Sequence, residues 1–268
     1  MNATFQRDNL SLAVHDRGSG MPVVLQHGLC GDAAQPAEIF PFELPARCLT
    51  LECRGHGGSD AGDTRLLSIA TFTDDLAHWL DSLALGPVVL GGISMGAAIA
   101  LRLAVTRPDR VRALVLARPA WIAEAGPANM APNAQVGALL ASHEPAQARA
   151  LFEASDTARD LAAGAPDNLA SLRGFFTREP QAVTAALLAR ISADGPGVSR
   201  ADITALTIPT LVIGTELDAI HPLGHAEALT ALIPGARLAR ITPKALDKPR
   251  YVQDFRAALA QFLSEISA

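Results

Sequence analysis

Seven short runs rich in β-branched residues and leucine, at residues 11–14, 23–25, 48–51, 88–90, 111–117, 210–213 and 238–241, alternate with longer amphipathic or small-residue segments. Strands that alternate with helices build a mostly parallel sheet with helices on both faces, so an α/β architecture is the expectation. Phe72, Leu76, Trp79, Leu80 and Leu83 fall at helical spacing behind Thr71, with Asp74 three residues on, which reads as a capped helix start. Val252, Phe255, Leu259, Phe262, Leu263 and Ile266 form a second stripe that serves a core. From residue 118 to 207 the alternation stops, and three or four helical patterns, for example at 146–155, 168–176 and 181–191, take its place. Sheet segments on both sides need each other, so residues 1–117 and 208–268 are expected to form one core and 118–207 a helical cap inserted into it.

At 268 residues the chain is long enough for one large core, and 49% hydrophobic against 18% charged residues excludes disorder over most of it. The 22 Lys and Arg face 27 Asp and Glu, for a net charge of -5 with no block of like charge, which argues against a nucleic-acid groove or a polybasic membrane patch. The longest uncharged stretch, 82–101, is cut by Gly86, Pro87, Gly91, Gly92, Ser94 and Gly96 into strand, turn and helix start, so no membrane span is expected. The opening MNATFQRDNL has neither a basic nor an apolar leader region. Cys30, Cys48 and Cys53 cannot all pair and lack metal-site spacing, which suits a reducing cytoplasm and argues against zinc.

Gly92-Ile93-Ser94-Met95-Gly96 follows the strand at 87–90 directly and opens an alanine-rich helix over 97–105. A serine on so sharp a turn sits in a strained backbone, and glycines two residues before and after let neighbouring segments approach. The hydroxyl is thereby pushed out at the carboxyl end of the sheet, at a helix N-terminus that favours developing negative charge. His27-Gly28-Leu29 follows the strand at 23–25, Glu52 to Ser59 follows the strand at 48–51, and Gly214 to Pro222 follows the strand at 210–213.

Four motifs in this order, each at the carboxyl end of a strand, resemble the α/β-hydrolase superfamily over nearly the whole chain. The resemblance implies Ser94 as nucleophile, Asp218 as the acid of a catalytic triad, and the backbone N–H groups of Leu29 and Met95 as an oxyanion hole. It implies scaffold roles for His27, Arg54 and His56. In this family the catalytic histidine follows the last strand, in a Gly-His pair shortly before a helix entry legible here as Asp247 to Val252. No histidine follows His225, and the loop that would carry it is about four residues short. Three candidate bases remain: His221, which keeps the chain order Ser, Asp, His; Lys244, if desolvated; and His225 on the following helix.

Trp121, Met130, Leu172, Phe175 and Phe176 are candidate apolar lining of a substrate pocket, with cap core as the expected place of the two phenylalanines. Arg118, Arg173 and Arg178 are candidate anion ligands, each singly more in keeping with a solvated face. The expectation is a cytoplasmic, cofactor-independent serine hydrolase for a small ester, thioester or lactone. The alternatives are a lyase or cyclase, or a ligand-binding protein, on the same fold.

Overall fold

Strands buried on both faces must be apolar at every position, with alternate side chains serving opposite cores. The computed structural model of the chain describes residues 3–267; residues 1, 2 and 268, at the ends of the expected core segments, lie outside the described residues. Its strands are β1 (Ala3–Arg7), β2 (Leu10–Gly18), β3 (Met21–Gln26), β4 (Ala46–Leu51), β5 (Val88–Ile93), β6 (Val111–Ala117), β7 (Thr210–Gly214) and β8 (Arg237–Arg240). They form one sheet in the order β1-β2-β4-β3-β5-β6-β7-β8. β2 pairs antiparallel with both β1 and β4, and every pairing from β4 through β8 is parallel.

The helices are α1 (Ala34–Ile39), α2 (Ile69–Ser82), α3 (Met95–Thr106), α4 (Ala131–Ser142), α5 (Pro145–Glu153), α6 (Asp156–Gly164), α7 (Pro166–Phe175), α8 (Gln181–Ala193), α9 (Arg200–Thr204), α10 (Leu223–Leu232) and α11 (Lys248–Ser267). Val24, Leu90, Leu114, Leu116 and Val212 join one core with α2, α3 and α10. Val23, Leu25, Val89, Val115, Leu211 and Ile213 join the other, against α1 and α11. Phe255, Leu259, Phe262 and Leu263 of α11 are buried there, each contributing about 1.5–3 kcal/mol. No helix among the described residues is long and apolar enough to cross a membrane.

Several local expectations need correction. β1 has no apolar run to announce it, because an edge strand leaves most of its residues exposed or half-buried. β8 ends at Arg240, and Ile241 instead donates its N–H to Gly214 O across 3.0 Å. Helix α2 starts one turn before the expected cap at Thr71: Ser68 is the N-cap, its Oγ accepting the Thr71 N–H at 3.0 Å. Between β6 and β7 run six helices, α4 to α9. The alanine-rich α4 lacks the apolar stripe on which a sequence reading depends, and the nine-residue α6 buries only Ala158 and Leu161, too few positions to show a period.

Two connections position the future site. Arg54, after β4, makes a bidentate pair with Asp75 of α2, at 2.7 Å for each bond, and both side chains are buried. The turn from β5 into α3 is packed against β3: a Cβ on Gly96 would lie 2.4 Å from Gln26 O and 2.8 Å from His27 O, and one on Gly92 2.2 Å from the Gly96 carbonyl carbon. All of these are backbone atoms that cannot swing aside.

Ser68→Ala is therefore expected to cost about 0.5–2 kcal/mol in a denaturant titration, since the Thr71 N–H loses its acceptor. Gly96→Val, and likewise Gly92→Val, should cost at least the roughly 1–3 kcal/mol of ordinary overpacking and reduce soluble expression and melting temperature. A wild-type melt of either glycine variant contradicts the tight turn.

Candidate active site

The strain anticipated at Ser94 is visible in its backbone, with φ 57° and ψ −112°, a region L-residues seldom enter. Its N–H donates to Ala117 O on neighbouring β6 at 2.9 Å, and its carbonyl accepts the Ala97 N–H at 3.0 Å, starting α3. Held from both sides, Ser94 opens its side chain onto a cavity of about 260 Å³ at the carboxyl end of the sheet.

The loop after β7 meets it there. His221 Nε2 lies 2.8 Å from Ser94 Oγ, and its Nδ1 lies 2.8 Å from Asp218 Oδ1. A neutral ring that donates its Nδ1–H to Asp218 leaves Nε2 to accept from the serine hydroxyl. The short loop is fixed by side chains from the segment between β6 and β7. Asn168 of α7 donates to Asp218 Oδ1 at 2.9 Å and accepts the Ala219 N–H at 2.7 Å. Asn129 donates to Ile220 O at 2.7 Å and to Ala120 O at 2.9 Å.

Arg118 is the main departure from expectation. It is not on a solvated face: it follows β6 with a left-handed backbone, φ 45°, and its side chain, 12% exposed, lies half-buried beside Asp218. Its Nε and Nη2 donate to Asp218 Oδ2 at 2.8 and 2.6 Å, and Nη1 reaches Tyr251 Oη at 3.4 Å. Nη2 also lies 3.2 Å from His221 Nδ1. With both nitrogens donating to Asp218, that approach is a contact between donors, and it opposes positive charge on the ring. Burial opposes the charge of Asp218, but the His221 ring and the Arg118 guanidinium outweigh it and hold the carboxyl well below its usual range. Burial lowers the His221 pKa; the Asp218 carboxylate resists that shift and Arg118 adds to it.

The loop after β3 borders the serine. A Cβ on Gly28 would lie 3.5 Å from Ser94 Cβ, and the Gly28 N–H is taken by Gln35 Oε1 at 2.8 Å. Among the described residues the N–H groups of Leu29 and Met95 meet no acceptor. His27 sits beneath this loop, donating Nδ1–H to Gly28 O at 2.9 Å and accepting the Cys53 N–H on Nε2 at 3.0 Å. Its ring centroid is 4.8 Å from that of His56. Burial pushes both imidazoles below their ordinary pKa and keeps them neutral parts of the scaffold.

The other candidates separate clearly. Lys244 lines the cavity, but its Nζ is paired with Asp167 at 2.9 Å. His225, on α10, does not line the cavity. Leu172 and Phe175 line it, whereas Phe176 is core, 5.7 Å from the Phe152 ring. Trp121 and Met130 are buried away from the cavity, the indole N–H donating to Asp194 O at 2.8 Å. Arg173 pairs with Glu153 at 2.7 Å, and Arg178 is bonded to Gly55 O and to Thr184 Oγ1. Cys30 faces the cavity with its thiol pushed up to about 12 by burial, so it supplies no thiolate at neutral pH. No group of three or more His, Cys, Asp or Glu among the described residues is placed to hold a metal ion.

Known proteins agree with this architecture. The chain is 35% identical over 112 residues to an sn-1-specific diacylglycerol lipase, ABHD11, of Danio rerio, covering 40% of this chain and 35% of that one. It is 30% identical over 234 residues to a 2-hydroxymuconate semialdehyde hydrolase of Pseudomonas putida, covering 84% and 80%. The chain thus spans less than half the length of several curated relatives that it matches. A thermophilic esterase from Thermogutta terrifontis superposes with a TM-score of 0.74 at 24% identity, over 100% of this chain and 98% of that one. The model of the family described as alpha/beta hydrolase fold matches residues 21–244, and the chain belongs to that family.

Proposed function

We propose that the chain is a serine hydrolase that cleaves a small carboxylic ester, thioester or lactone through an acyl-enzyme on Ser94. The observation that carries this reading is the unbroken line of hydrogen bonds from Ser94 Oγ through His221 to Asp218, at 2.8 Å for each link. Relatives named as hydrolase and lipase support the reaction class.

In the attack, His221 Nε2 takes the Ser94 proton as Oγ adds to the acyl carbon, and Asp218 holds the ring in the required tautomer and stabilises its charge. Such a base contributes on the order of 10²- to 10⁴-fold. The tetrahedral oxygen receives the N–H groups of Leu29 and Met95, each donor being worth roughly 3–4 kcal/mol at comparable sites. His221 then returns its proton to the leaving oxygen or sulfur. A water enters and adds to the acyl carbon as the same nitrogen takes its proton, which then passes to Ser94 Oγ as the bond from that oxygen to the acyl carbon breaks and the acid leaves. Residues 118–207 act as the cap that selects the substrate, the core comprising 1–117 and 208–268. The reaction asks for no cofactor, and a cytoplasmic location fits the sequence.

Ser94→Ala should abolish turnover of activated esters with little change in melting temperature, and a fluorophosphonate should label the wild type one-to-one at Ser94. Retained hydrolysis in the variant moves the chemistry elsewhere. His221→Ala should slow acylation on the order of 10²- to 10⁴-fold, and undiminished labelling sinks the base assignment. Because burial and Arg118 lower the His221 pKa, the acid limb of kcat/KM should lie below the ordinary imidazole value of about 6.5. Arg118→Gln removes a positive charge while keeping a donor for Asp218, so that limb should move to higher pH. A limb that stays in place or falls contradicts the electrostatic role of Arg118.

A further inference from the structure

The loop after β3 turns on Gly28, a residue without the Cβ that would stiffen it, and each peptide unit beside Gly28 is held separately. Gly28 O and the Leu29 N–H belong to one planar, trans unit, so fixing the carbonyl fixes the direction of the N–H. That carbonyl accepts the His27 Nδ1–H at 2.9 Å and the Gly31 N–H at 3.0 Å, which turns the Leu29 N–H the other way, where it meets no acceptor among the described residues. The same turn sets Cys30 at φ 58°, a left-handed backbone that usually falls to glycine. Strained backbone of this kind persists where its surroundings over-determine it. The unit before Gly28 is held by a side chain. Its N–H donates to Gln35 Oε1 at 2.8 Å, and since the donor is a backbone N–H the amide must present its oxygen there. Gln35 lies in the first turn of α1, lines the cavity, and packs so close to Gly31 that a Cβ there would stand 2.5 Å from its Cδ, Oε1 and Nε2. One amide thus touches both ends of the turn.

We infer that Gln35 is a positioning residue for the reaction: its Oε1 locks the peptide unit before Gly28 and so keeps the Leu29 N–H aimed at the oxygen that gains charge when Ser94 attacks. This inference rests on the reading of Ser94 as the nucleophile and of Leu29 as an oxyanion donor. A donor helps only where it lies about 2.7–3.1 Å from the tetrahedral oxygen, and a displacement of about 1 Å forfeits on the order of 10²-fold. The interaction is made in the transition state, so its loss falls on kcat and spares KM.

The test compares p-nitrophenyl butanoate with its thionoester, in which sulfur replaces the carbonyl oxygen and fits an oxygen-sized hole poorly. Wild type should favour the oxygen ester by roughly tenfold or more in kcat/KM. Gln35→Ala should lower kcat on that ester about 10- to 100-fold with KM within about threefold, and should slow the thionoester far less, so that the preference shrinks. Gln35→Glu keeps an acceptor for the Gly28 N–H. Its charge opposes the tetrahedral anion of both esters alike, so the preference, rather than the rate, should return. Gly31→Ala must push the Gln35 amide aside, so it should reproduce the loss in wild type and add little to Gln35→Ala. Equal loss on both esters, or an undiminished preference in Gln35→Ala, overturns the inference. A readout independent of turnover keeps it apart from the serine reading. Amide hydrogen exchange at Gly28, followed by NMR, should quicken roughly tenfold or more in Gln35→Ala and slow again in Gln35→Glu. Unchanged exchange overturns the hold on the turn; if exchange quickens but wild type cleaves neither ester, that hold stands and the serine hydrolysis reading fails.

Discussion

The Asp218 carboxylate is the point on which the site's geometry depends. Its two oxygens receive Arg118 from the end of β6, Asn168 from α7, and both the ring and the backbone N–H of His221 from its own loop. The side chain is 4% exposed, so water contributes little to satisfying it and the protein must supply the donors. A buried charge left without its partner costs about 3–5 kcal/mol, which binds these segments to one arrangement. The position of the His221 ring, and hence its distance from Ser94, follows from that arrangement.

Ser94 is constrained in a different way, by sterics. Its positive φ is tolerated because Gly92 and Gly96 let the turn lie directly on the backbone of β3, and because its N–H is anchored to β6. The two constraints approach from opposite sides of the cavity. A strained serine faces an imidazole fixed by a charged network, so the proton transfer proposed above would need little reorganisation.

The fold was legible because its signals are local. Central strands must be apolar throughout, and α11 must turn one apolar stripe toward the sheet, so periodicity alone located both. Edge strand β1 and helix α4 escaped because neither carries a periodic apolar pattern of its own, and α6 because its pattern rests on two buried residues, Ala158 and Leu161. Within the site, motifs at carboxyl ends of strands carried the family resemblance that singles out Ser94, Leu29 and Asp218, and the position of His221 in the same loop as Asp218 made it a candidate base. Arg118 occupies such a position too, ending the apolar run Val111–Ala117, and that was the available signal for a residue expected on a solvated face. Asn129 and Asn168 gave none, because a lone asparagine in a helical region looks the same whether it faces water or a buried loop.

Asp218 and His221 are three residues apart in one loop, which has consequences for how the site is held together. When two such groups sit on separate loops, each can be fixed by its own strand and helix. On one short loop they move together, so the loop itself must be pinned, and the pins come from outside the sheet: Asn129, bonded to Ile220 O, and Asn168, bonded to Asp218 and Ala219. The segment between β6 and β7 therefore does more than cover the cavity. Any displacement of α7 that releases Asn168 also loosens the carboxylate that holds the imidazole, so the helices lining the cavity and the Ser94–His221 geometry are mechanically coupled. Arg118 limits the cost of such a displacement, since its bidentate hold on Asp218 Oδ2 comes from the sheet and persists when α7 moves. It does so at the expense of basicity at His221, because the charge that anchors the carboxylate also opposes the imidazolium.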